Sequence, residues 1–154
     1  MKLTNKKGVT LLELIIVFII IDIGAALMVP NIGRWLPNYR LRSAARDIVS
    51  TMRTAQMKAV STSREYRVAF NQAAGSYILQ CRTTAGGPWV DEGTTQELPK
   101  GIQIFDLNPG DYNAEFNTNS TASPGSITLQ NAKKDQRKIT VISSTGRVKI
   151  ESPI

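Results

Sequence analysis

The sequence has no histidine and a single cysteine among its 154 residues. The absence of histidine removes the commonest general base and the commonest metal ligand. Cys81 alone can form neither an intrachain disulfide nor a cysteine-based zinc site. No glycine-rich phosphate loop precedes a helical pattern either. These absences argue against an enzyme and predict no cofactor and no metal.

Charge is also scarce in one long segment near the N-terminus. From Leu11 to Val29 the only charged residues are Glu13 and Asp22, in an apolar run of 19 residues. A membrane-spanning helix needs about 20 residues. A secretory signal peptide would have its small-residue cleavage site after the apolar run, whereas Gly8 lies before it. The pattern predicts a transmembrane helix over residues 9–29 that stays on the chain after a cut at Gly8.

The residues at this junction form a recognisable motif. Gly8-Val9-Thr10-Leu11-Leu12-Glu13 resembles the prepilin leader motif of type IV pilins and type II secretion pseudopilins, usually G-F-T-L-x-E, with Val9 in place of the usual Phe. The resemblance implies that residues 1–8 are a leader peptide and that a prepilin peptidase cuts between Gly8 and Val9. It also implies N-methylation of Val9. The expected location is the inner membrane, in a single pass, with the globular domain in the periplasm.

Two carboxylates lie in the apolar run. A carboxylate at membrane depth is costly unless it has a partner. Glu13 is therefore predicted to pair with the N-terminal amine of a neighbouring subunit during filament assembly, a role that the resemblance also implies. The alternative is a carboxylate near the lipid headgroups. Asp22 receives no role from the resemblance, and either contact with another subunit or protonation would accommodate it.

The next segment, residues 30–62, is predicted to contain a bend and then an amphipathic helix in the periplasm. Pro30 ends the apolar run, and Gly33 and Pro37 follow within a few residues. From Asn38 to Thr62, apolar residues recur at helical spacing. The members of this stripe are Leu41, Ala45, Ile48, Met52, Ala55 and Ala59. We expect the stripe to pack on a sheet.

Residues 63–154 show the patterns of a β-rich globular domain. Alternating or β-rich segments are separated by turn residues. The predicted strands are Glu65–Phe70, Ser76–Arg82, Pro88–Asp91, Gly101–Asp106, Tyr112–Asn117, Ser126–Gln130, Arg137–Ser143 and Arg147–Glu151. The predicted fold class is therefore α+β, a pilin-like fold in which a long N-terminal α-helix packs on an antiparallel β-sheet domain.

Short motifs in the second half resemble the GspH/FimT-like family. The last of them is Gly146-Arg147-Val148-Lys149, on the predicted final strand. The resemblance implies a minor pseudopilin, a structural subunit of a type II secretion pseudopilus or a type IV pilus acting in protein secretion. Its partners would be the prepilin peptidase, other pilins or pseudopilins and the inner membrane.

Charge near the C-terminus suggests an alternative. Residues 133–149 contain six basic residues and one acidic residue, while residues 91–115 contain six acidic residues and one basic residue. The basic set could contact DNA phosphates, as in FimT-like minor pilins that act in DNA uptake during natural transformation. The other interpretation, which we favour because no aromatic stacking platform accompanies the basic run, is pairing with the acidic region of a neighbouring subunit. The candidate DNA-binding residues are Lys133, Lys134, Arg137, Lys138, Arg147 and Lys149.

Overall fold

A computed structural model describes residues 8–83 and 86–151, and the side chains of residues 27–34 lie outside the described set. The chain divides into two compact units, Met1–Leu36 and Pro37–Ile154. Helix α1 (Leu11–Thr62) begins in the first unit and ends in the second, and the second unit holds all the strands. Most of the predicted leader, residues 1–7, lies outside the described residues.

Helix α1 is one continuous element, where the sequence predicted two helices joined by a bent segment. Pro30 and Pro37 both lie inside it. A proline removes one donor, but it can bend a helix without ending it. The described backbone therefore shows no helix break over residues 30–37, and a bend there stays a prediction. The helix ends at Thr62 because Ser63 adopts a left-handed conformation with a φ of 53°, a common helix stop.

The strands follow α1 in the order β1 (Glu65–Asn71), β2 (Ser76–Arg82), β3 (Val90–Asp91), β4 (Gln96–Glu97), β5 (Ile102–Asn108), β6 (Ala114–Phe116), β7 (Gly125–Asn131), β8 (Gln136–Val141) and β9 (Val148–Glu151). One sheet has the order β3-β2-β1-β6, with β4 also paired to β2. The other has the order β5-β7-β8-β9. All pairings are antiparallel. Each of the eight predicted strands has a counterpart, and β4 was not predicted because Gln96 and Glu97 carry no apolar pattern.

The apolar stripe of α1 packs in a core that both sheets share. Every member of the stripe is at most 2% exposed. The same cluster contains Val68 and Phe116 from the first sheet and Ile127, Leu129 and Ile139 from the second. Three of the six stripe positions are alanine, which lets the strands approach the helix closely. The predicted α+β architecture, a long N-terminal helix packed on antiparallel β-structure, is confirmed.

Cys81 lies in β2 and is partly buried. It lies near the C-terminal end of β2, where the residues are partly buried, and it interacts with Glu92. Burial and the neighbouring carboxylate both raise the pKa of its thiol. Because the thiolate is the reactive form, the raised pKa lowers the fraction of Cys81 that is reactive at neutral pH.

Candidate assembly and partner-binding surfaces

The start of α1 carries the residues of the predicted leader junction. Gly8 and Val9 precede the helix and are exposed. Thr10 caps the helix, because its Oγ1 accepts a hydrogen bond from the Glu13 N–H at 3.3 Å and its backbone oxygen accepts one from the Leu14 N–H at 3.2 Å. Glu13 therefore lies in the first turn, where the helix dipole favours a carboxylate. The sequence analysis gave Thr10 no role, although its Thr-x-x-Glu spacing is that of a capping box.

The described residues of the first unit present an exposed apolar surface. Every large apolar side chain from Leu11 to Ile23 is between 46% and 78% exposed. Contiguous apolar surface of this kind marks contact with a membrane or with partner proteins. Among the described residues, no helix meets both the length and the hydropathy required to cross a membrane.

The six candidate DNA-binding residues are not brought together in one place. Lys133 and Lys134 lie in the turn between β7 and β8. Lys138 is opposite Glu151 in the pairing of β8 with β9, and Lys149 is opposite Thr140. Side chains alternate between the two faces of a strand. Lys138 therefore shares the outer face with Thr140 and Lys149, whereas Arg137 shares the core face with Ile139.

Arg137 and Arg147 instead line a groove between α1 and the last two strands, and Lys149 reaches this groove from the edge strand β9. Its two adjoining parts have volumes of about 270 and 600 Å³ and share Ile150. Helix α1 contributes further cations from the opposite wall. The cations of this basic groove are Arg42, Arg46, Arg53, Arg137, Arg147 and Lys149.

No carboxylate lines these two parts of the basic groove among the described residues. The ion pairs found in the described part of the chain are Lys58–Glu92, Arg67–Glu115 and Arg82–Glu65, and none includes a groove cation. The charged residues that line these two parts of the groove are therefore all basic in the described part of the chain. A surface of this kind favours an anionic partner.

Arg42, Arg46 and Arg53 are the groove residues that the sequence analysis missed. Their spacings of four and seven residues place them on one flank of α1. The sequence shows that spacing, but it does not show which strand lies opposite this flank of α1.

One wall of the basic groove is fixed by a contact between distant parts of the chain. Gln56 Nε2 on α1 donates a hydrogen bond to the backbone oxygen of Thr145 at 3.0 Å. The next residue, Gly146, has a φ of 61°, and a Cβ there would lie 2.5 Å from Gln56 Nε2 and 2.7 Å from the backbone oxygen of Ser120. Glycine is therefore required in the turn that precedes Arg147. This gives Gly146, part of the motif quoted above, a structural role.

No cluster suited to a metal occurs in the described part of the chain, where no three Cys, Asp or Glu side chains converge. The chemistry that this surface supports is recognition by charge and by apolar contact.

Comparison with known proteins identifies the family. Residues 44–146 match the family model described as "Type II transport protein GspH". The chain belongs to the GspH family. The match begins inside α1 and ends at Gly146, immediately before Arg147. Among curated proteins none matches the chain.

Solved structures of pseudopilins and pilins share the fold. The minor pseudopilin EpsH from the type 2 secretion system of Vibrio cholerae superposes with a TM-score of 0.61 at 12% identity, over 73% of this chain and 97% of EpsH. Escherichia coli GspH gives a TM-score of 0.61 at 13% identity, over 75% of this chain and 90% of that one. The type IV minor pilin FimU of Pseudomonas aeruginosa gives 0.59 at 14% identity, over 74% and 90%. At these identities the likeness establishes the fold alone.

Proposed function

We propose that this chain is a minor pseudopilin, a non-catalytic subunit that assembles with other pilins or pseudopilins into a type II secretion pseudopilus or a type IV pilus. Residues 9–29 would anchor it in the inner membrane, with the β domain in the periplasm. A prepilin peptidase would cut after Gly8 and methylate Val9. The GspH family model and the pilin-like fold support the class of protein.

The observation that carries the assembly proposal is the first unit of the structure. It combines an exposed apolar helix with Glu13 in its first turn, five residues after Gly8. An apolar helix of this kind is stable in lipid or in a bundle with similar helices. Once residues 1–8 are removed, the new amine on Val9 would be the natural partner for the Glu13 carboxylate of a neighbouring subunit.

Intact mass and N-terminal sequencing of the membrane-extracted protein test the processing step. We expect a chain that begins at Val9 and carries one added methyl group. A Gly8→Val variant, or a strain without prepilin peptidase, is the matched control and should keep Met1. A wild-type chain that still begins at Met1 in cells with an active peptidase would contradict the proposal.

Glu13→Gln tests the assembly step separately. It keeps the side-chain volume and removes the charge, so we expect normal processing but loss of incorporation into the filament fraction. Asp22→Asn is the matched control at the other charged position of the apolar run, because no partner is assigned to it. Normal incorporation of the Glu13→Gln protein would show that the charge does not guide assembly.

DNA binding during natural transformation is the second candidate function. The observation in its favour is the positive charge of the basic groove, to which α1 contributes three cations that the sequence did not predict. If phosphate contacts carry such binding, Arg147→Gln and Lys149→Gln should each lower affinity and reduce the salt dependence by about one ion. Unchanged DNA affinity in both variants would exclude this function.

A further inference from the structure

Among the described strands, β9 is an edge of its sheet and pairs with β8 alone. Ile142 N–H donates to the backbone oxygen of Arg147 at 3.0 Å, which sets the hydrogen-bonding register of this hairpin. Because the pattern alternates in antiparallel pairs, the backbone groups of Lys149 point to β8. Those of Val148 and Ile150 point outward. Neither outward-facing residue has a backbone partner in the described part of the chain. An unpaired edge of this kind is a template for an added strand.

The basic groove runs along this open edge. The wall of the groove on the side of the sheet consists of Arg147, Val148, Lys149 and Ile150. Val49 and other residues of α1 form the opposite wall. On the helix, the distance from Arg42 to Arg53 is about 17 Å at 1.5 Å per residue. An extended segment of about five residues covers this length.

The groove also offers apolar surface between its cations. Met57 is 65% exposed and Ile150 is 36% exposed, although both belong to the wall of the groove. Such surface gains free energy when an apolar side chain covers it. The site therefore presents three kinds of interaction together: outward backbone groups of an edge strand, apolar contacts and positive charge.

We propose that the basic groove binds an extended acidic segment of another polypeptide, which adds to the edge of β9 as a further strand. Its backbone would pair with Val148 and Ile150. Its carboxylates would meet Arg53 and Arg147. Its apolar side chains would cover Met57 and Ile150. This is strand addition, in which backbone hydrogen bonds give affinity and alternate side chains give specificity.

A polypeptide fits these observations better than a nucleic acid does. A single nucleic-acid strand binds through its phosphates and through stacking of its bases on aromatic rings. No aromatic residue lines either part of the groove among the described residues. A phosphate group can accept from the outward N–H groups of an edge strand, but it offers no donor to the outward C=O groups. The proposal does not depend on filament assembly, since any acidic segment with this chemistry would bind.

Fluorescence anisotropy with the full-length chain in non-ionic detergent tests the proposal. The probe is a blocked, labelled octapeptide that alternates Glu and Val. The matched control peptide has the same sequence with N-methyl groups on alternate amides, so it keeps the charge but cannot complete the pairing. A Lys–Val octapeptide and a single-stranded oligonucleotide of similar length complete the set.

We expect the Glu–Val peptide to bind at least about tenfold more tightly than the N-methylated and Lys–Val peptides. Arg53→Gln and Arg147→Gln should each weaken its binding several-fold, whereas Lys134→Gln, a cation outside the groove, should change it less than twofold. Ile150→Pro should abolish binding, because it removes an N–H that faces outward and would pair with the peptide. The variant should still fold, because proline is tolerated on an edge strand.

Equal affinity for the parent and N-methylated peptides would overturn strand addition, and this comparison does not depend on how Ile150→Pro folds. Oligonucleotide binding that exceeds peptide binding and is unchanged in a folded Ile150→Pro variant would assign the groove to nucleic acid. That outcome would also overturn the proposal.

Discussion

Gly125 lies directly against the ring of Tyr112. A Cβ at Gly125 would be 2.2 Å from Tyr112 Cε2 and 2.4 Å from Cδ2. The ring is buried, and its hydroxyl donates to the backbone oxygen of Ser123 at 3.0 Å. The start of β7 is therefore shaped around a side chain that lies 13 residues earlier in the sequence.

The first prediction concerns this contact. Gly125→Ala should destabilise the protein by about 1–3 kcal/mol, because the ring is enclosed and the new methyl group has no space. Gly110→Ala is the matched control, since a Cβ there meets nothing within 4 Å, and it should change stability by less than about 0.5 kcal/mol. Urea unfolding of the full-length chain in detergent, followed by circular dichroism, measures both. Equal midpoints for the two variants would contradict the predicted clash.

The second prediction concerns alkaline pH. Burial is the main cause that raises the pKa of Tyr112 well above its ordinary value of about 10. Below pH 10 the phenol is protonated in both states, so this group causes no pH dependence. Above pH 10 it ionises in the unfolded chain but not in the folded one, and stability should fall by up to about 1.4 kcal/mol per pH unit from this group.

Tyr112→Phe separates this effect from other alkaline effects. The variant should lose about 1 kcal/mol near neutral pH, because the hydrogen bond to Ser123 is absent. Its stability should then fall less steeply than that of the wild type above pH 10. Burial also raises the pKa of Tyr77, so adding Tyr77→Phe should flatten the curve further. Parallel curves for the wild type and Tyr112→Phe above pH 10 would refute the assignment.

Local patterns made the fold predictable from the sequence. The stripe from Leu41 to Ala59 repeats at helical spacing, and it is buried as expected. The predicted Ser76–Arg82 strand matches β2 residue for residue, because turn residues bound it on both sides. These features depend on neighbours in the sequence, which is why a single sequence reveals them.

Only some residues of the basic groove could be predicted from the sequence. Arg147 and Lys149 stand in a recognisable motif, but Arg42, Arg46 and Arg53 become part of the site only when α1 lies beside β9. The residues of the two walls lie at least 88 positions apart in the sequence, the separation of Met57 and Thr145. Strand order decides this proximity, and no local pattern encodes the order β5-β7-β8-β9. For the same reason Lys138, adjacent in sequence to Arg137, lies outside the groove.

The third prediction concerns Trp89. The guanidinium carbons of Arg67 and Arg82 each lie 4.4 Å from the centroid of its ring. Both arginines also have polar partners. Arg67 Nε donates a hydrogen bond to Gln80 Oε1 at 2.7 Å, and Arg82 forms an ion pair with Glu65. Trp89→Leu should cost about 1–2 kcal/mol through the loss of two partly exposed cation–π contacts.

A double-mutant cycle measures the stack itself. Trp89→Leu combined with Arg82→Met should show a coupling of about 0.5–1 kcal/mol in urea unfolding. Val90→Ala is the control at the adjacent position, which is exposed, and should be nearly neutral. Additive single changes with no coupling would show that the stack contributes nothing to stability.

The fourth prediction concerns Asn131, at the end of β7. It is 3% exposed, and its Nδ2 donates to Asn38 Oδ1 at 2.8 Å and to Asp135 Oδ2 at 2.9 Å. Its Oδ1 accepts from the backbone N–H groups of Lys133 and Asp135 at 2.9 and 3.0 Å. One side chain thus shapes the β7–β8 turn and ties it to α1.

Asn131→Ala removes all four hydrogen bonds and should cost about 2–4 kcal/mol, at about 1 kcal/mol for each bond. Asn131→Asp keeps the acceptor to the two N–H groups but places an oxygen opposite Asn38 Oδ1 and Asp135 Oδ2, so it should remain destabilising. Ser144→Ala is the control in the exposed turn of the neighbouring hairpin and should change stability by less than about 0.5 kcal/mol. Hydrogen exchange should show faster exchange of the Lys133 and Asp135 amides in Asn131→Ala alone. Unchanged exchange at these amides would mean that the turn holds its shape without Asn131.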